Sequence, residues 1–253
     1  MQPICLITGA SSGLGRALAL EYAARGWKVL AIARNVTRLA EVCQASIAAH
    51  HPSQIVPFSV DVTDAAAVSA MIAQISTQYP QLDLVILNAG TCEYVDIPDW
   101  PVEAFERTFS LNFHAVAMMV PKLLPLLQRA SAPKLAIVSS LAHYFPFTRA
   151  EAYGASKAAL SYFTDSLRVD LAGSGLQVTL IEPGFIDTPL TQANDFDMPF
   201  MLKADESARR IANALGKGVL RYRFPKRLVF SLSLLNLLPY NLRQKVAARM
   251  KQV

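Results

Sequence analysis

Residues 4–15, ICLITGASSGLG, decide the fold of this chain. The first half of this stretch is a short apolar run, which is typical of a strand that is buried on both faces. The second half places three glycines and two serines before a helix predicted over Leu14–Arg25. Glycine lets the backbone turn tightly and approach a phosphate, and a helix N-terminus offers free N–H groups and positive potential. The stretch therefore predicts a strand–turn–helix unit that binds a nucleotide phosphate.

The same alternation continues along the chain. Five further apolar runs have the length of strands: 28–33, 54–60, 82–88, 134–140 and 177–183. Helical patterns lie between them, among them Asp64–Gln78, Val102–Arg129 and Ala152–Ala172. A last strand is predicted over residues 218–225. This rhythm predicts an α/β fold, a doubly wound parallel sheet with helices on both faces, in one domain over residues 1–253. Ligands of such sheets bind at the carboxyl ends of the strands, where TGASSGLG, DVTD, NAG, VSS and PGFIDT lie.

Composition narrows the class of protein. A chain of 253 residues that is 53% hydrophobic and 17% charged suits one globular domain. Cys5, Cys43 and Cys92 show neither metal-ligand spacing nor a disulfide framework, which favours a reducing compartment and predicts no metal site. The chain shows no signal-peptide pattern and no apolar run of about 18 residues, so we expect a cytoplasmic protein without a transmembrane segment. It has no recognisable nucleic-acid-binding module, and we expect no nucleic-acid partner despite the net charge of +5.

The end of the second strand bears on cofactor choice. Dinucleotide sites usually carry an acidic residue here, about 20 residues after the glycines, to hold the adenosine ribose. In this chain the strand ends in Ala33 and Arg34. A guanidinium suits a 2′-phosphate, so Arg34, with Arg38 as a second candidate, favours NADP(H) over NAD(H); the alternative is a solvated arginine. Asp61 ends the third strand, and it either accepts from the adenine amino group or caps the helix that begins near Asp64.

A phenol and an ammonium share one helix face further on. In EAYGASKAAL (151–160), Tyr153 and Lys157 lie four residues apart, so both side chains leave the same side of the predicted helix. Hydride transfer at a nicotinamide needs a matching proton transfer, but a free tyrosine with a pKa of about 10 is a poor base at neutral pH. We expect the Lys157 charge and an oxidised nicotinamide to favour the phenolate, and Ser140 to hydrogen-bond the substrate oxygen. The alternative, a half-exposed Tyr–Lys pair, leaves the nearby polar strand ends unexplained.

The ordered motifs TGASSGLG, NAG, SLNFHA, VSS, YGASK and PGFIDT resemble the classical short-chain dehydrogenase/reductase family over residues 4–190. The resemblance implies a Rossmann-type fold and a catalytic tetrad: Asn112, Ser140, Tyr153 and Lys157. Ser139 is the alternative to Ser140. The resemblance further implies that Lys157 binds the nicotinamide ribose and that Asn112 lies in a kinked helix and orders a relay water.

Residue chemistry and the resemblance together predict the cofactor contacts. After the sixth strand, Pro183 and Gly184 are expected to meet the nicotinamide carboxamide, and Thr188 the same group or the phosphates; the alternative is simple turn chemistry. The full predicted set is Gly9, Ser11, Ser12, Gly13, Leu14, Gly15, Arg34, Asp61, Val62, Asn88, Ala89, Gly90, Tyr153, Lys157, Pro183, Gly184, Ile186 and Thr188.

These observations predict an NADP(H)-dependent oxidoreductase that interconverts an alcohol and a carbonyl on a hydrophobic small molecule. The alternative is a catalytically silent dinucleotide-binding regulator or scaffold. The resemblance assigns substrate specificity to the loop 189–204, whose sequence PLTQANDFDMPFMLKA is rich in Phe and Met. The segment that follows Ser140 contains four candidates for the wall of the substrate pocket: His143, Tyr144, Phe145 and Phe147. The alternative is that these side chains only pack against the rest of the protein. The apolar helices predicted over 102–129 and 152–172 lead us to expect a homodimer or homotetramer.

The C-terminal tail, residues 226–253, departs from this pattern. From Lys217 onward the chain has nine basic and no acidic residues, whereas the rest carries 15 basic and 19 acidic residues. The tail predicts two short amphipathic helices broken at Pro239. We expect its basic residues Arg243, Lys245 and Arg249 to stay in water, while its apolar residues pack beside the substrate entrance: Leu228, Phe230, Leu232, Leu235 and Leu238. The alternatives are a subunit contact and an interfacial role on a membrane.

Overall fold

The structure is a computed structural model, and it describes residues 2–49, 54–97, 99–192 and 197–249. Its strands are β1 (Ile4–Thr8), β2 (Lys28–Ala33), β3 (Ile55–Ser59), β4 (Leu84–Leu87), β5 (Lys134–Val138), β6 (Gln177–Pro183), β7 (Ile186–Asp187), β8 (Leu202–Lys203) and β9 (Arg221–Phe224). Seven of them form one parallel sheet in the order β3-β2-β1-β4-β5-β6-β9, and β7 pairs with β8. The predicted doubly wound parallel sheet is confirmed, and every predicted strand is present.

Nine α-helices lie between these strands and after the last one in the described part of the chain: α1 (Gly13–Ala24), α2 (Val36–Ala48), α3 (Ala65–Gln78), α4 (Val102–Phe109), α5 (Ala115–Leu127), α6 (Glu151–Asp170), α7 (Ala204–Gly216), α8 (Lys226–Asn236) and α9 (Tyr240–Arg249). No bounds were predicted for α2 and α7. Helices cover both faces of the sheet, and successive side chains of a strand point to opposite faces. In β1, Leu6 packs into the core that contains α3, α5 and α6, whereas Ile7 packs into the core that contains α1, α2 and α7.

The helix predicted over Val102–Arg129 contains a π-helical turn at Ser110–His114, which separates α4 from α5. Within the described residues, Val102–Leu127 is the one stretch long and apolar enough to cross a membrane by length and composition, with a mean hydropathy of 1.3. A core helix meets the same criteria. The α5 side chains of Val120 and Leu123 are buried in the core with the sheet, and 44% of the most apolar window is buried inside the protein.

The tail forms two helices, α8 and α9, and Pro239 lies between them as predicted. Leu228 and Leu232 of α8 form a small third core with Leu141 and Phe145. The expectation that the whole apolar stripe is buried was wrong, because the Phe230 side chain is 72% exposed. Residues 250–253 lie outside the described residues.

The basic residues of the tail differ from each other in environment. Lys245 and Arg249 are exposed as expected. Arg243 is only partly in water, because its Nη1 donates to Asn236 Oδ1 at 3.3 Å and its guanidinium lies over the Tyr240 ring.

Candidate active site

The turn between β1 and α1 is shaped by contacts that exclude larger side chains. A Cβ atom at Gly15 would lie 2.1 Å from the carbonyl oxygen of Gly9, and Gly13 has a φ of +50°. Within the described residues, the N-cap Ser12 makes no side-chain hydrogen bond to the helix. The first N–H groups of α1 have no partner within an α-helix, and this helix end opens on a cleft. The turn therefore fits a phosphate.

That cleft has a volume of about 710 Å³ and runs along the carboxyl ends of the strands. All eighteen predicted cofactor contacts line it, as does Arg38. Among the predicted catalytic residues, Ser140, Tyr153 and Lys157 also line the cleft. Several lining residues were not predicted as cofactor contacts, and most of them flank the predicted ones: Ala33, Asn35, Val60, Leu111, Val138, Pro189, Leu190 and Thr191.

Thr8, which the sequence analysis did not single out, joins the loops after β1 and β4. Its Oγ1 accepts from the backbone N–H groups of Asn88 and Ala89 at 2.9 and 3.0 Å. In return, Asn88 Nδ2 donates to the carbonyl oxygen of Thr8 at 3.0 Å. These bonds hold the NAG segment as one wall of the cleft.

Arg34 and Asp61 form the cleft mouth beside β2 and β3. Arg34 is 71% exposed at its side chain, and its Nη1 lies 3.6 Å from Asp61 Oδ2. Partial burial acts to raise the pKa of Asp61, but hydrogen bonds from Thr63 and the Arg34 charge hold it below its usual value. The alternative that Asp61 caps α3 was wrong, because Asp64 Oδ1 accepts from Ala66 N and Ala67 N at 2.9 and 3.0 Å.

Tyr153 and Lys157 extend from one face of α6 towards the end of β5. Lys157 Nζ lies 5.8 Å from the centroid of the Tyr153 ring and donates to the carbonyl oxygen of Val138 at 3.0 Å. Burial lowers the pKa of Lys157 to about 8. Burial, with a smaller contribution from Cys92, raises the pKa of Tyr153 to about 12, and a hydrogen bond with Ser140 acts in the opposite direction. Lys157 is not among the groups that shift the pKa of Tyr153 here, and the expectation that Lys157 together with an oxidised nicotinamide favours the phenolate stays a prediction.

Asn112 lies in the π-helical turn between α4 and α5, so the helix is irregular at the place where a kink was expected. Its Oδ1 accepts from Thr91 N at 2.8 Å, and its Nδ2 donates to Thr91 O at 3.0 Å and to Ser156 Oγ at 2.9 Å. Ser156 Oγ in turn donates to the carbonyl oxygen of Tyr153 at 2.7 Å. The Asn112 side chain thus joins the loop after β4 to the first turn of α6. Ser156 was missed, and its position within YGASK was the only signal for it.

The two serines that follow β5 face different partners. Ser139 Oγ donates to the carbonyl oxygen of Lys157 at 2.8 Å and lies 2.9 Å from Ser161 Oγ. Ser140 Oγ accepts from Ala142 N at 3.0 Å and hydrogen-bonds with Tyr153. The geometry therefore favours Ser140 over Ser139 as the partner of the substrate oxygen.

A second cavity of about 100 Å³ adjoins the cleft at Ser140 and Tyr153. None of the described residues that line it is charged: Cys92, Tyr94, Ser140, Leu141, Ala142, Phe147, Thr148, Ala150, Tyr153, Gly184, Phe185, Leu190, Thr191, Leu228 and Leu232. The loop 189–204 contributes Leu190 and Thr191, while its residues 193–196 lie outside the described residues. Burial raises the pKa of the Cys92 thiol to about 11, so this thiol is protonated at neutral pH.

Of the four aromatic candidates for the pocket wall, only Phe147 lines this cavity among the described residues. Phe145 is buried in the small core with α8, and Tyr144 packs against the same core. His143 Nε2 lies 2.5 Å from Glu182 Oε1 and belongs to a separate polar cluster. The prediction that His143, Tyr144 and Phe145 face the substrate was therefore wrong for the described cavity.

Glu182 is the fully buried centre of that polar cluster, directly before the Pro183–Gly184 turn. Its Oε2 accepts from Arg223 Nε at 2.8 Å and lies 2.9 Å from Arg221 Nε. Burial acts to raise the pKa of Glu182, but the hydrogen bonds from His143 and Arg223 and the arginine charges hold it below its usual value. This cluster ties the segment after Ser140 to β6 and β9. Within the described ranges, no three His, Cys, Asp or Glu side chains could hold a metal ion together.

Comparisons with known proteins agree with this geometry. A family model described as short chain dehydrogenase matches residues 3–198. The chain is 35% identical over 246 residues to an uncharacterized oxidoreductase of Myxococcus xanthus, covering 97% of this chain and 96% of the relative. It is 32% identical over 195 residues to 2-(R)-hydroxypropyl-CoM dehydrogenase of Xanthobacter autotrophicus, covering 76% and 78% of the two chains. A short-chain dehydrogenase structure from Streptomyces avermitilis has the same fold, with a TM-score of 0.81, 24% identity and full coverage of both chains.

Proposed function

Because this chain belongs to the short-chain dehydrogenase family, we propose that it is an NADP(H)-dependent oxidoreductase that interconverts an alcohol and a carbonyl on an uncharged, hydrophobic small molecule. One observation carries this proposal. Ser140 and Tyr153 line both the long cleft and the small apolar cavity, so they lie where a dinucleotide and an apolar substrate would meet. Hydroxyl groups at such a junction are placed to act on a carbonyl or alcohol oxygen.

Each residue at this junction has a separate role in the reaction. When bound, the nicotinamide supplies or accepts the hydride. Tyr153 is protonated at neutral pH, because burial raises its pKa to about 12, and it donates its proton to the carbonyl oxygen as reduction proceeds. Ser140 donates a hydrogen bond to the same oxygen and holds it in place. Lys157 lies one helical turn away and binds the nicotinamide ribose, and the Asn112–Ser156 bridge fixes the first turn of α6 that carries Tyr153.

Two features support NADP(H) over NAD(H). No carboxylate ends β2, and the exposed guanidinium of Arg34 stands there instead, with Arg38 lining the same cleft. A phosphate dianion is a stronger partner for Arg34 than Asp61, whose carboxylate is 3.6 Å away and partly exposed. Arg34 therefore selects the 2′-phosphate.

The uncharged lining of the small cavity supports a neutral, apolar substrate, since a buried carboxylate there would lack a cationic partner. The Xanthobacter relative carries a name that describes the oxidation of a hydroxyl group, which agrees with an alcohol or ketone. We assign substrate specificity to the loop 189–204 and to the α8 wall of the cavity. Tyr162 and Val169 of α6 are 80% and 74% exposed and support a homodimer or homotetramer through this helix and α4–α5. The cytoplasmic location stays a prediction.

Oxidation of NADPH against a panel of substrates tests this function. We expect turnover with uncharged ketones and aldehydes of small or medium size, and little or none with keto acids of similar size. Binding of NADPH is measured in parallel by its fluorescence. If NADPH binds but no carbonyl compound is reduced and no alcohol is oxidised, the silent dinucleotide-binding regulator becomes the better reading.

A further inference from the structure

Helix α8 carries apolar side chains on two opposite sides. Leu228 and Leu232 point into the protein, where they are 5% and 3% exposed and line the small cavity. Phe230, Leu234 and Leu237 are 72%, 58% and 81% exposed. These three residues are four and three positions apart, so they lie on one side of the helix. A helix that is apolar on both sides is normally buried on both sides.

Exposed apolar side chains continue along the chain into α9. Tyr240 and Leu242 follow directly and are 66% and 47% exposed. We call this surface the tail face: Phe230, Leu234, Leu237, Tyr240 and Leu242. Single exposed apolar residues are common on proteins, but five large ones within thirteen residues mark an interaction site.

Cations without acidic neighbours in the sequence surround the tail face. Lys226 and Arg227 precede it on α8, and Lys245 and Arg249 follow it on α9; all four are exposed. None of these four forms an ion pair with another residue of the described ranges. From Lys217 to the C-terminus the sequence has no aspartate or glutamate. The charged residues that the tail itself contributes are therefore all positive.

We propose that the tail face docks on the surface of an anionic lipid bilayer. Its apolar side chains enter the boundary between headgroups and acyl chains, and Lys226, Arg227, Lys245 and Arg249 contact lipid phosphates. Helices with an apolar face flanked by Lys and Arg bind in this way. A second copy of the chain fits this face less well, because a two-fold contact brings the same positive patch of both copies together.

The experiment is co-sedimentation of the full chain with lipid vesicles. Phosphatidylcholine vesicles that contain phosphatidylglycerol are compared with vesicles of phosphatidylcholine alone, at increasing salt. We expect binding to the anionic vesicles only, and we expect it to weaken with salt because exposed charges are screened. This readout is independent of catalysis, so its result and that of the NADPH assay are separable.

Two double variants and two matched controls locate the contact. Lys226→Gln with Arg227→Gln should lower vesicle partitioning about 25-fold, since each basic residue near an anionic surface contributes about fivefold. Phe230→Ser with Leu234→Ser should lower it about tenfold or more, because two apolar side chains no longer enter the lipid. The controls remove exposed side chains of the same kinds from other surfaces and should bind as the wild type does: Arg209→Gln with Lys217→Gln, and Val36→Ser with Ile47→Ser.

Three results would overturn the proposal. The first is wild-type protein that does not bind anionic vesicles at low salt. The second is vesicle binding that the tail-face variants and their controls weaken equally. The third is a dimer in solution that dissociates in the Phe230→Ser, Leu234→Ser variant, with no vesicle binding by the wild type; the tail face would then be a contact between two copies. Circular dichroism of each variant shows that it is folded.

Discussion

The ammonium group of Lys157 donates its hydrogen bond to the carbonyl oxygen of Val138, at 3.0 Å, and not to the phenol of Tyr153 one helical turn away. Lys157 is buried, and Tyr153 is half-buried where the cleft and the small cavity adjoin. Burial disfavours the charged form of each. The pKa of Lys157 consequently falls to about 8, while that of Tyr153 rises to about 12. The sequence pattern identifies the pair, but the surroundings decide its protonation.

Protein stability should report the lowered pKa of Lys157. Between pH 8 and the unfolded-state pKa of 10.5, the unfolded chain binds a proton at this lysine that the folded protein does not. The free energy of unfolding of the wild type should therefore rise relative to Lys157→Met, by about 2 kcal/mol between about pH 7.5 and 9.5. Urea denaturation of both proteins across this range measures the difference. If the free energies of unfolding of the two proteins change with pH in the same way, Lys157 keeps an ordinary pKa.

Removal of one hydroxyl should separate catalysis from cofactor binding. Tyr153→Phe keeps the ring but lacks the proton donor, so kcat should fall about 100- to 10,000-fold while the Kd for NADPH changes little. Steady-state kinetics and fluorescence titration give the two quantities. Tyr162→Phe, an exposed tyrosine on the same helix, is the control and should keep full activity. If Tyr153→Phe retains a large part of the wild-type rate, another group donates the proton.

The guanidinium at the cleft mouth should discriminate between the two cofactors. Arg34→Ala should raise the KM for NADPH about 10- to 100-fold, the effect of losing a hydrogen-bonded ion pair, and should leave the KM for NADH nearly unchanged. Both constants are measured with one substrate. Arg209→Ala, which removes an exposed arginine from α7, serves as the control. Equal increases for the two cofactors would show that Arg34 does not contact the 2′-phosphate.

The polar cluster around Glu182 should contribute to stability. Glu182→Gln leaves the charges of Arg221 and Arg223 without their buried partner, and we expect a loss of about 2 kcal/mol or more in the free energy of unfolding. The pKa of Glu182 lies below its usual value of 4.5, so the wild-type advantage is present above that pH and disappears as the pH falls below it. Glu206→Gln breaks an exposed pair with Arg210 and should cost less than about 1 kcal/mol. If both variants lose the same free energy of unfolding, burial of Glu182 does not make its ion pairs more important for stability than the exposed pair.

The α8 wall of the small cavity should limit substrate size. Leu232→Ala should reduce the free energy of unfolding by about 2–5 kcal/mol and enlarge the cavity, so that kcat/KM shifts towards bulkier ketones. NADPH binding should not change, because Leu232 does not line the described part of the cleft. Leu234→Ala, on the exposed side of the same helix, is the matched control for both measurements. If Leu232→Ala prefers the same substrates in the same order as the wild type, α8 does not contact the substrate.

The sequence by itself determined the main parallel sheet, most of the helices that cover it and the edge that carries the site. Runs such as residues 29–33 are apolar at every position, which suits a strand covered on both faces. Parallel strands place all their carboxyl ends at one edge, so loops that are far apart in sequence meet there without any further information. For this reason the eighteen predicted contacts line one cleft, although the pattern gave no distance between them.

Only the tertiary structure decided what each polar or apolar side chain contacts. The sequence placed Leu228 and Phe230 in one apolar stripe, but packing against Leu141 and Phe145 buries the first and leaves the second exposed. Glu182 lies beside His143 and Arg223, residues about forty positions away on either side along the chain. Burial and pKa depend on the neighbours that folding brings together, and local periodicity does not contain that information.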